Sequence, residues 1–263
     1  MEYLSPYFER NSNFPYYNSV HDSIYGNIYI SGLLCIMYLP SIFILKNYMH
    51  NKPALRGGNY DKLFFLWNMF LSVSSGIGAV LMFPFEYNNF VNDENYGICN
   101  TTLNAINIMS NPTFVYICVL FCFSKFFEFI DTVFVVIRKS QLEFIHWYHH
   151  IVTCLYCWHG SYTTTSTSGH FAIMNLSVHA VMYFYYALYA IGNKMLHPYR
   201  KIITVIQISQ MVGGCYIVYN WFMNCKINSS KAEYANMVFA AIMYFSYFIL
   251  FIKVFFREKT KSS

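Results

Sequence analysis

Seven apolar stretches, each long enough to cross a bilayer as a helix, constrain the fold of this 263-residue chain more than any other feature. The hydrocarbon core of a bilayer takes about 20 helical residues. The stretches run over residues 27–46, 62–85, 114–137, 144–161, 169–191, 201–221 and 234–256. Only 11% of the residues are charged, whereas a soluble domain carries about 25%. The pattern therefore predicts an all-α integral membrane protein with seven transmembrane helices.

Lysine and arginine residues collect at alternate ends of these stretches. Thirteen lie at one set of ends, which includes the C-terminal tail, and three lie at the other set. Under the positive-inside rule, the basic ends face the cytosol. We therefore expect a single domain over residues 1–263, with a short lumenal segment at 1–26 and a basic cytosolic tail at 257–263.

The two longer lumenal connections each contain one cysteine and one glycosylation sequon. Under this topology Cys99 and Cys225 lie in an oxidising compartment, which predicts a disulfide between them. The sequons begin at Asn100 and Asn228. The last five residues, 259–263, resemble a lysine-based retrieval signal of endoplasmic reticulum membrane proteins, although a solvated basic tail has the same composition.

Three histidines near the start of the fourth span form the most unusual cluster in the sequence. His146, His149 and His150 follow one another at i, i+3 and i+4, so a helix would bring them onto one face. Ionisable groups inside a membrane are costly and therefore indicate a functional site; a polar seam between helices is the alternative. An imidazole among apolar groups favours its neutral form, which can act as a base or a nucleophile.

Neighbouring spans also carry polar side chains along one helical face. In the third span, Lys125, Glu128 and Asp131 follow at i, i+3 and i+6, as part of a site or as a structural ion-pair cluster. The fifth and sixth spans add two further stripes: Asn175, His179, Tyr183 and Tyr186, and Thr204, Gln207 and Gln210. Four consecutive spans with inward polar side chains predict a polar chamber near the cytosolic half of the bundle. Such a chamber suits acyl transfer or proton abstraction.

The surroundings of this chamber indicate the kind of ligand. Its apolar walls suit a lipid chain. The basic residues at its cytosolic rim suit a phosphate-bearing carrier, and they include Arg138, Lys139, Arg200 and Lys201. Nothing in the pattern favours a nucleic-acid partner, and a homodimer is compatible with it.

Two other functional classes share parts of this pattern. Di-iron membrane desaturases and hydroxylases also use His-x-x-His-His boxes, but this chain has a single box, too few ligands for two irons. We therefore expect no metal site. A seven-helix receptor or a transporter is the non-enzymatic alternative, because the span count fits the first and the buried charges fit the second. Neither explains a cluster of three histidines at the mouth of a helix.

Four short segments resemble the signature boxes of one enzyme family, and they occur in that family's order. They are Lys125-Phe-Phe-Glu128-Phe-Ile-Asp131-Thr132, His146-Trp-Tyr-His149-His150, residues 175–186 and Thr204-Val-Ile-Gln207. Together they resemble the ELO family of very-long-chain fatty acid elongases, the 3-oxoacyl-CoA synthases. The histidine-containing boxes are most similar to the branch that elongates saturated and monounsaturated chains of the palmitate class.

The resemblance implies a fold and a reaction. The implied fold has seven helices in the endoplasmic reticulum membrane, six of which form a barrel around a narrow acyl tunnel closed toward the lumen. The implied reaction condenses a long-chain acyl-CoA with malonyl-CoA to a 3-oxoacyl-CoA, carbon dioxide and CoA, without a cofactor. The implied partners are these two substrates, membrane lipid, and the ketoacyl reductase, dehydratase and enoyl reductase of the elongation cycle.

The resemblance also implies roles for individual residues in a ping-pong course. His149 would attack the acyl thioester to form an acyl-imidazole, and His146, His150 and His179 would position the nucleophile and the malonyl group. Asn175 and Gln207 would donate hydrogen bonds to oxyanions, and Glu128 and Asp131 would orient imidazoles. The other implied substrate-orienting residues are Lys125, Tyr183 and Tyr186. From their position at the predicted cytosolic rim, and not from the resemblance, we expect the four basic rim residues to bind CoA.

Overall fold

The computed structural model describes residues 28–92, 98–99, 111–163, 165, 167–192 and 194–260, and within these ranges it contains helices and no strand. The helices are α1 (Ile28–Tyr48), α2 (Gly58–Asn92), α3 (Pro112–Phe127), α4 (Phe129–Ile137), α5 (Phe144–Thr163), α6 (Ser168–Ala190), α7 (Arg200–Asn224) and α8 (Lys231–Thr260). Two short 3-10 segments, Lys194–Tyr199 and Lys226–Asn228, lie on either side of α7. α3 and α4 form one rod with an interruption at Glu128, so the described chain has seven helical rods. The predicted all-α class is confirmed.

Six of the seven rods are long and apolar enough to cross a membrane: α1, α2, the α3–α4 rod, α6, α7 and α8. The exception, α5, has 20 residues, and the four histidines in its sequence lower its mean hydropathy. α2 is the rod that extends furthest beyond its predicted span, because polar turns prolong the helix at both ends. The apolar rods fit a multi-pass membrane protein, and the crossing of the bilayer by α5 stays a prediction.

The packing brings α5 into contact with helices from both halves of the chain. α2 packs along α6, where Ser72 Oγ donates to the backbone oxygen of Ala180 at 2.7 Å. α8 packs on both α7 and α5, while α1 packs on α4 and α5. The predicted histidine cluster, at the start of α5, is therefore surrounded by other helices.

The connections at the two ends of the bundle are also fixed. At the end where α5 begins, Arg257 pairs with Glu143, and the N–H of Leu55 donates to the backbone oxygen of Ile137 at 2.9 Å. At the opposite end, a disulfide joins Cys99 to Cys225, the pairing expected from the connections that were predicted to be lumenal.

Three of the predicted features fall wholly or partly outside the described residues. The N-terminal segment 1–26 and the sequon at Asn100 lie outside them, as do the last three residues of the tail. The second sequon begins in the 3-10 segment that follows α7.

Candidate active site

The first two turns of α5 bring three imidazoles together, and α6 adds a fourth. The ring centroids of His146 and His150 are 4.7 Å apart, and those of His149 and His150 are 5.5 Å apart. His179 of α6 faces His149 with 6.4 Å between the ring centroids. The cluster on α5 follows directly from its i, i+3, i+4 spacing on a helix.

A buried ammonium–carboxylate pair lies next to these imidazoles, at the break between α3 and α4. Lys125 Nζ donates to Glu128 Oε1 at 2.6 Å and to Asn175 Oδ1 at 2.7 Å. Only 2% of Lys125 and 3% of Glu128 is exposed. Two charges can be buried in this way when they are paired and their other polar atoms are hydrogen-bonded. The pair therefore gives α6 a fixed attachment to the α3–α4 rod.

The contacts of Asn175 determine which nitrogen of His179 carries the proton. Because Lys125 donates to Oδ1 of Asn175, the amide nitrogen Nδ2 faces His179 Nε2, at 3.1 Å. An amide nitrogen only donates, so Nε2 accepts and the proton of His179 is on Nδ1. That nitrogen lies 3.5 Å from Glu128 Oε1, while Glu128 Oε2 lies 3.9 Å from His150 Nδ1. The Glu128 carboxylate thus lies beside both imidazoles, and His150 Nδ1 has no hydrogen-bond partner among the described residues.

α4 supplies two further polar side chains with different partners. Asp131 accepts from Trp67 Nε1 and from the Tyr183 hydroxyl, both at 2.6 Å. It contacts no imidazole in the described part of the chain, because it is rotated about 60° around the helix from Glu128. The contacts of Asp131 seen here are therefore to Trp67 and Tyr183, and the role of this carboxylate in orienting a histidine stays a prediction. Its neighbour Thr132 does reach the cluster, since Thr132 Oγ1 lies 2.9 Å from His146 Nε2.

A cavity begins beside this cluster and continues between α3, α5, α6, α7 and α8, with about 620 Å³ of empty space that includes its opening to solvent. Along α5 its lining extends from His149 to Ser161, which is about 18 Å of helix. Asn175 lines it near His149, and Ser168 lines its far end. Most of the other lining side chains are aromatic or apolar. Of the four clustered histidines, His149 alone is part of the cavity wall.

The backbone of His149 is anchored, whereas its ring is not. The Tyr247 hydroxyl of α8 donates to the carbonyl oxygen of His149 at 3.1 Å and lies 2.9 Å from Thr153 Oγ1. The ring of Tyr247 packs against the imidazole with 5.0 Å between centroids. Among the residues that the structure describes, none forms a hydrogen bond to a ring nitrogen of His149. The lone pair of this imidazole is therefore available at the cavity.

Comparison with known proteins bears on what this site does. The model of the ELO family, described as the GNS1/SUR4 family, matches residues 23–263. The chain belongs to the ELO family. It is 34% identical to very long chain fatty acid elongase 6 of Gallus gallus over 231 residues, which cover 86% of this chain and 83% of that relative. It is 30% identical to fatty acid elongase 2 of Trypanosoma brucei brucei over 275 residues, which cover 98% and 97%.

Family membership supports a function in fatty acid elongation. It also displaces the desaturase, receptor and transporter alternatives that the sequence pattern left open, because the match covers the histidine cluster and all the helical rods.

Of the seven predicted substrate-orienting residues of this ELO protein, Asn175 lines the cavity and the other six, including Gln207 and Tyr186, do not. Gln207 Nε2 donates to Met182 Sδ at 3.1 Å, and Gln210, one turn further along α7, lines the cavity instead. Tyr186 is 37% exposed and packs on Tyr183. Helical spacing predicted the polar face in both spans, but it did not predict which member of each stripe reaches the cavity.

The four predicted CoA-binding residues lie at the end of the bundle where α5 begins, and they differ in their contacts. Arg138 forms an ion pair with Asp61 at 2.6 Å. Lys139 donates to a backbone oxygen in the connection between α1 and α2 at 3.0 Å. Arg200 and Lys201 are exposed at the start of α7. Arg138 and Lys139 are therefore engaged in contacts within the protein, while Arg200 and Lys201 lie at an exposed position.

Three aromatic side chains at the site had no distinguishing mark in the sequence. Tyr38 reaches Thr132 from α1, Trp67 reaches Asp131 from α2, and the third is Tyr247. Because the chain contains 25 tyrosines and 4 tryptophans, composition cannot separate these three from aromatic residues that face lipid.

Proposed function

We propose that this ELO protein is a 3-oxoacyl-CoA synthase, which condenses a long-chain acyl-CoA with malonyl-CoA to a 3-oxoacyl-CoA two carbons longer, carbon dioxide and CoA. One observation carries the proposal. His149 is the clustered histidine in the cavity wall, and its ring has no hydrogen-bonded partner among the described residues. A nucleophile needs a free lone pair next to the bond that it attacks. The names of the relatives, all fatty acid elongases, support the same class of reaction.

The cavity is the proposed site of the acyl chain. Its walls include Phe121, Phe171 and Met243, which offer the chain apolar contact and exclude water. The thioester would lie at the His149 end and the methyl terminus near Ser168. The six rods other than α1 would then form the barrel around this tunnel.

In the first half of the reaction, a ring nitrogen of His149 attacks the thioester carbonyl. The carbon–sulfur bond breaks, the proton released by the imidazole passes to the departing thiolate, and free CoA leaves an acyl-imidazole. Asn175 is the proposed donor to the developing oxyanion. It lines the cavity, and Lys125 occupies its Oδ1 so that Nδ2 is the outward-facing group. A donor that is held in place before the reaction stabilises such charge most effectively.

In the second half, malonyl-CoA loses carbon dioxide and becomes an enolate. Its carbon attacks the acyl carbonyl, the carbon–nitrogen bond to His149 breaks, and the departing imidazole nitrogen takes up a proton from water, the one proton that the overall condensation consumes. His146, His150 and His179 are the proposed positioning groups for the nucleophile and for the malonyl carboxylate. Because decarboxylation generates the carbanion, the reaction needs no cofactor.

The proposed topology brings both CoA substrates to the cytosolic face. The exposed cations Arg200 and Lys201 would contact their phosphate groups. The protein would lie in the endoplasmic reticulum membrane with a lumenal N-terminus and a cytosolic C-terminus. There the ketoacyl reductase, dehydratase and enoyl reductase of the elongation cycle would process the product.

The acyl-imidazole can be tested without malonyl-CoA. Purified protein incubated with acyl-CoA alone should gain the mass of one acyl group on α5, and hydroxylamine should remove it. His149→Ala should abolish the adduct. His159→Ala is the matched control, because His159 lies on the same helix and contacts Asn236 at 2.8 Å, away from the cluster.

The condensation itself is tested with labelled malonyl-CoA and a panel of saturated acyl-CoAs. Label should enter 3-oxoacyl products with the wild type and the His159→Ala variant, but not with His149→Ala. Full adduct formation by His149→Ala would show that another group is the nucleophile. A folded wild-type protein that incorporates no label from any primer would refute the synthase assignment.

A further inference from the structure

α1 carries none of the four signature segments, yet one of its side chains reaches the site. Tyr38 is 7% exposed, and its hydroxyl lies 2.5 Å from Thr132 Oγ1. Thr132 is completely buried, and its Oγ1 lies 2.9 Å from His146 Nε2. The three groups form a continuous chain of hydrogen bonds from α1, through α4, to the first histidine of α5.

The hydrogen atoms in this series of hydrogen bonds can be assigned, because only one arrangement gives every buried hydroxyl hydrogen an acceptor. The Tyr38 hydroxyl has no other partner in the described residues, and neither has the Thr132 hydroxyl. If His146 Nε2 donated to Thr132, one of the two buried hydroxyl hydrogens would have no acceptor, which is costly. When Tyr38 donates to Thr132 and Thr132 donates to His146, both hydrogens are used. Nε2 of His146 then accepts, so the proton of this imidazole is on Nδ1.

We propose that Tyr38 is a positioning residue for the condensation step, which acts through Thr132 to hold His146 as a donor with its proton on Nδ1. Since no described residue hydrogen-bonds to Nδ1 of His146, this N–H is available to the malonyl group. The inference rests on the proposed function, in which His146 positions that group. It adds α1 to the helices on which the reaction depends.

The packing of Tyr38 allows its hydroxyl to be removed with little other change. Its ring stacks on Phe129 with 4.2 Å between centroids, and a phenylalanine at this position keeps that contact. Tyr38→Phe therefore isolates the hydrogen bond. Tyr48→Phe is the matched control, because Tyr48 lies on the same helix and is 63% exposed.

The first test separates the two halves of the reaction. Loss of one hydrogen bond should lower the rate of condensation with malonyl-CoA about tenfold in Tyr38→Phe, whereas acyl-adduct formation from acyl-CoA alone should match the wild type. Thr132→Val should cause a similar loss and Thr132→Ser a smaller one. The double variant Tyr38→Phe/Thr132→Val should be no slower than Thr132→Val, because Tyr38 acts only through Thr132. Multiplied losses in the double variant would overturn the inference.

The second test reads the proton directly. Solid-state NMR of histidine-labelled protein in lipid distinguishes the two neutral imidazole forms, and His146→Ala identifies the resonances of this ring. We expect the Nδ1–H form in the wild type and in Tyr48→Phe, and a mixture of forms in Tyr38→Phe. An Nε2–H form in the wild type, or unchanged spectra in Tyr38→Phe, would overturn the inference. This readout does not require turnover, so it tests the relay even if the wild type fails to condense, a result that refutes the proposed function alone.

Discussion

Replacing Lys125 with methionine would leave the Glu128 carboxylate without its ammonium partner inside the bundle. The pair is separated by 2.6 Å, and at 2% and 3% exposure water cannot take the place of the lost group. Removing one partner of a buried ion pair costs about 3–5 kcal/mol. His179 Nδ1, at 3.5 Å from the carboxylate, can supply part of the missing positive charge, so we expect the lower end, about 3 kcal/mol. At roughly 2–4 °C per kcal/mol, the melting temperature should fall by about 6–12 °C.

Stability is measured as thermal unfolding of detergent-solubilised protein, with size-exclusion chromatography as the readout of the folded fraction. Activity is measured as incorporation of labelled malonyl-CoA. Lys125→Met/Glu128→Gln removes both charges and should recover most of the stability, because no uncompensated charge stays buried. It should not recover activity, since Asn175 has lost the group that fixes its amide. Lys253→Met, at an exposed position of α8, is the control and should change stability by less than about 0.5 kcal/mol.

The melting temperatures of the single and the double variant together show whether the unpaired carboxylate causes the loss of stability. A double variant that melts as low as Lys125→Met would mean that the loss comes from packing and not from an unpaired carboxylate. Wild-type stability in Lys125→Met would mean that the pair contributes nothing, contrary to its burial.

Two other perturbations test the cavity. A Cβ atom at Gly160 would lie 3.3 Å from Ser168 Oγ, at the end of the cavity far from His149. Gly160→Leu should therefore fill that end and shorten the products by at least one two-carbon step, as measured by gas chromatography. Unchanged product lengths would contradict the assignment of the cavity as the acyl site. Gln210→Leu should lower label incorporation more than Gln207→Leu does, because only Gln210 lines the cavity; equal effects of the two variants in the same assay would count against this distinction.

The parts of this structure that follow a local pattern could be predicted from the sequence. Apolar runs of about 20 residues give helices that can span a bilayer, and the i, i+3, i+4 spacing brings His146, His149 and His150 onto one face. The disulfide was also predictable, because only two cysteines fall in the connections that the positive-inside rule predicts to be lumenal. Each of these inferences needs a single helix or a single topology and no knowledge of how the helices pack.

The partners of individual side chains could not be predicted, because they depend on the rotation of each helix against its neighbours. Asp131 and Glu128 are equivalent in the sequence pattern, yet only Glu128 meets imidazoles. Gln207 and Gln210 are likewise equivalent, but a rotation of about 60° between positions i and i+3 turns one toward Met182 and the other into the cavity. An inward polar stripe therefore identifies the wall of a site and leaves the role of each of its members open.

The charge cluster and the cavity meet at one residue, and this limits how the cluster can influence the reaction. Lys125 and Glu128 do not line the cavity, whereas Asn175 lines it and also hydrogen-bonds to Lys125. Because Lys125 occupies Oδ1, the Nδ2 group is the only part of this amide that can face His179 and a substrate oxygen. The buried charges thus fix the polarity of a donor in the cavity wall without entering it. A neutral donor whose orientation is fixed can stabilise an oxyanion beside an apolar chain. An ammonium group exposed in the same cavity would instead have to be desolvated each time the chain enters.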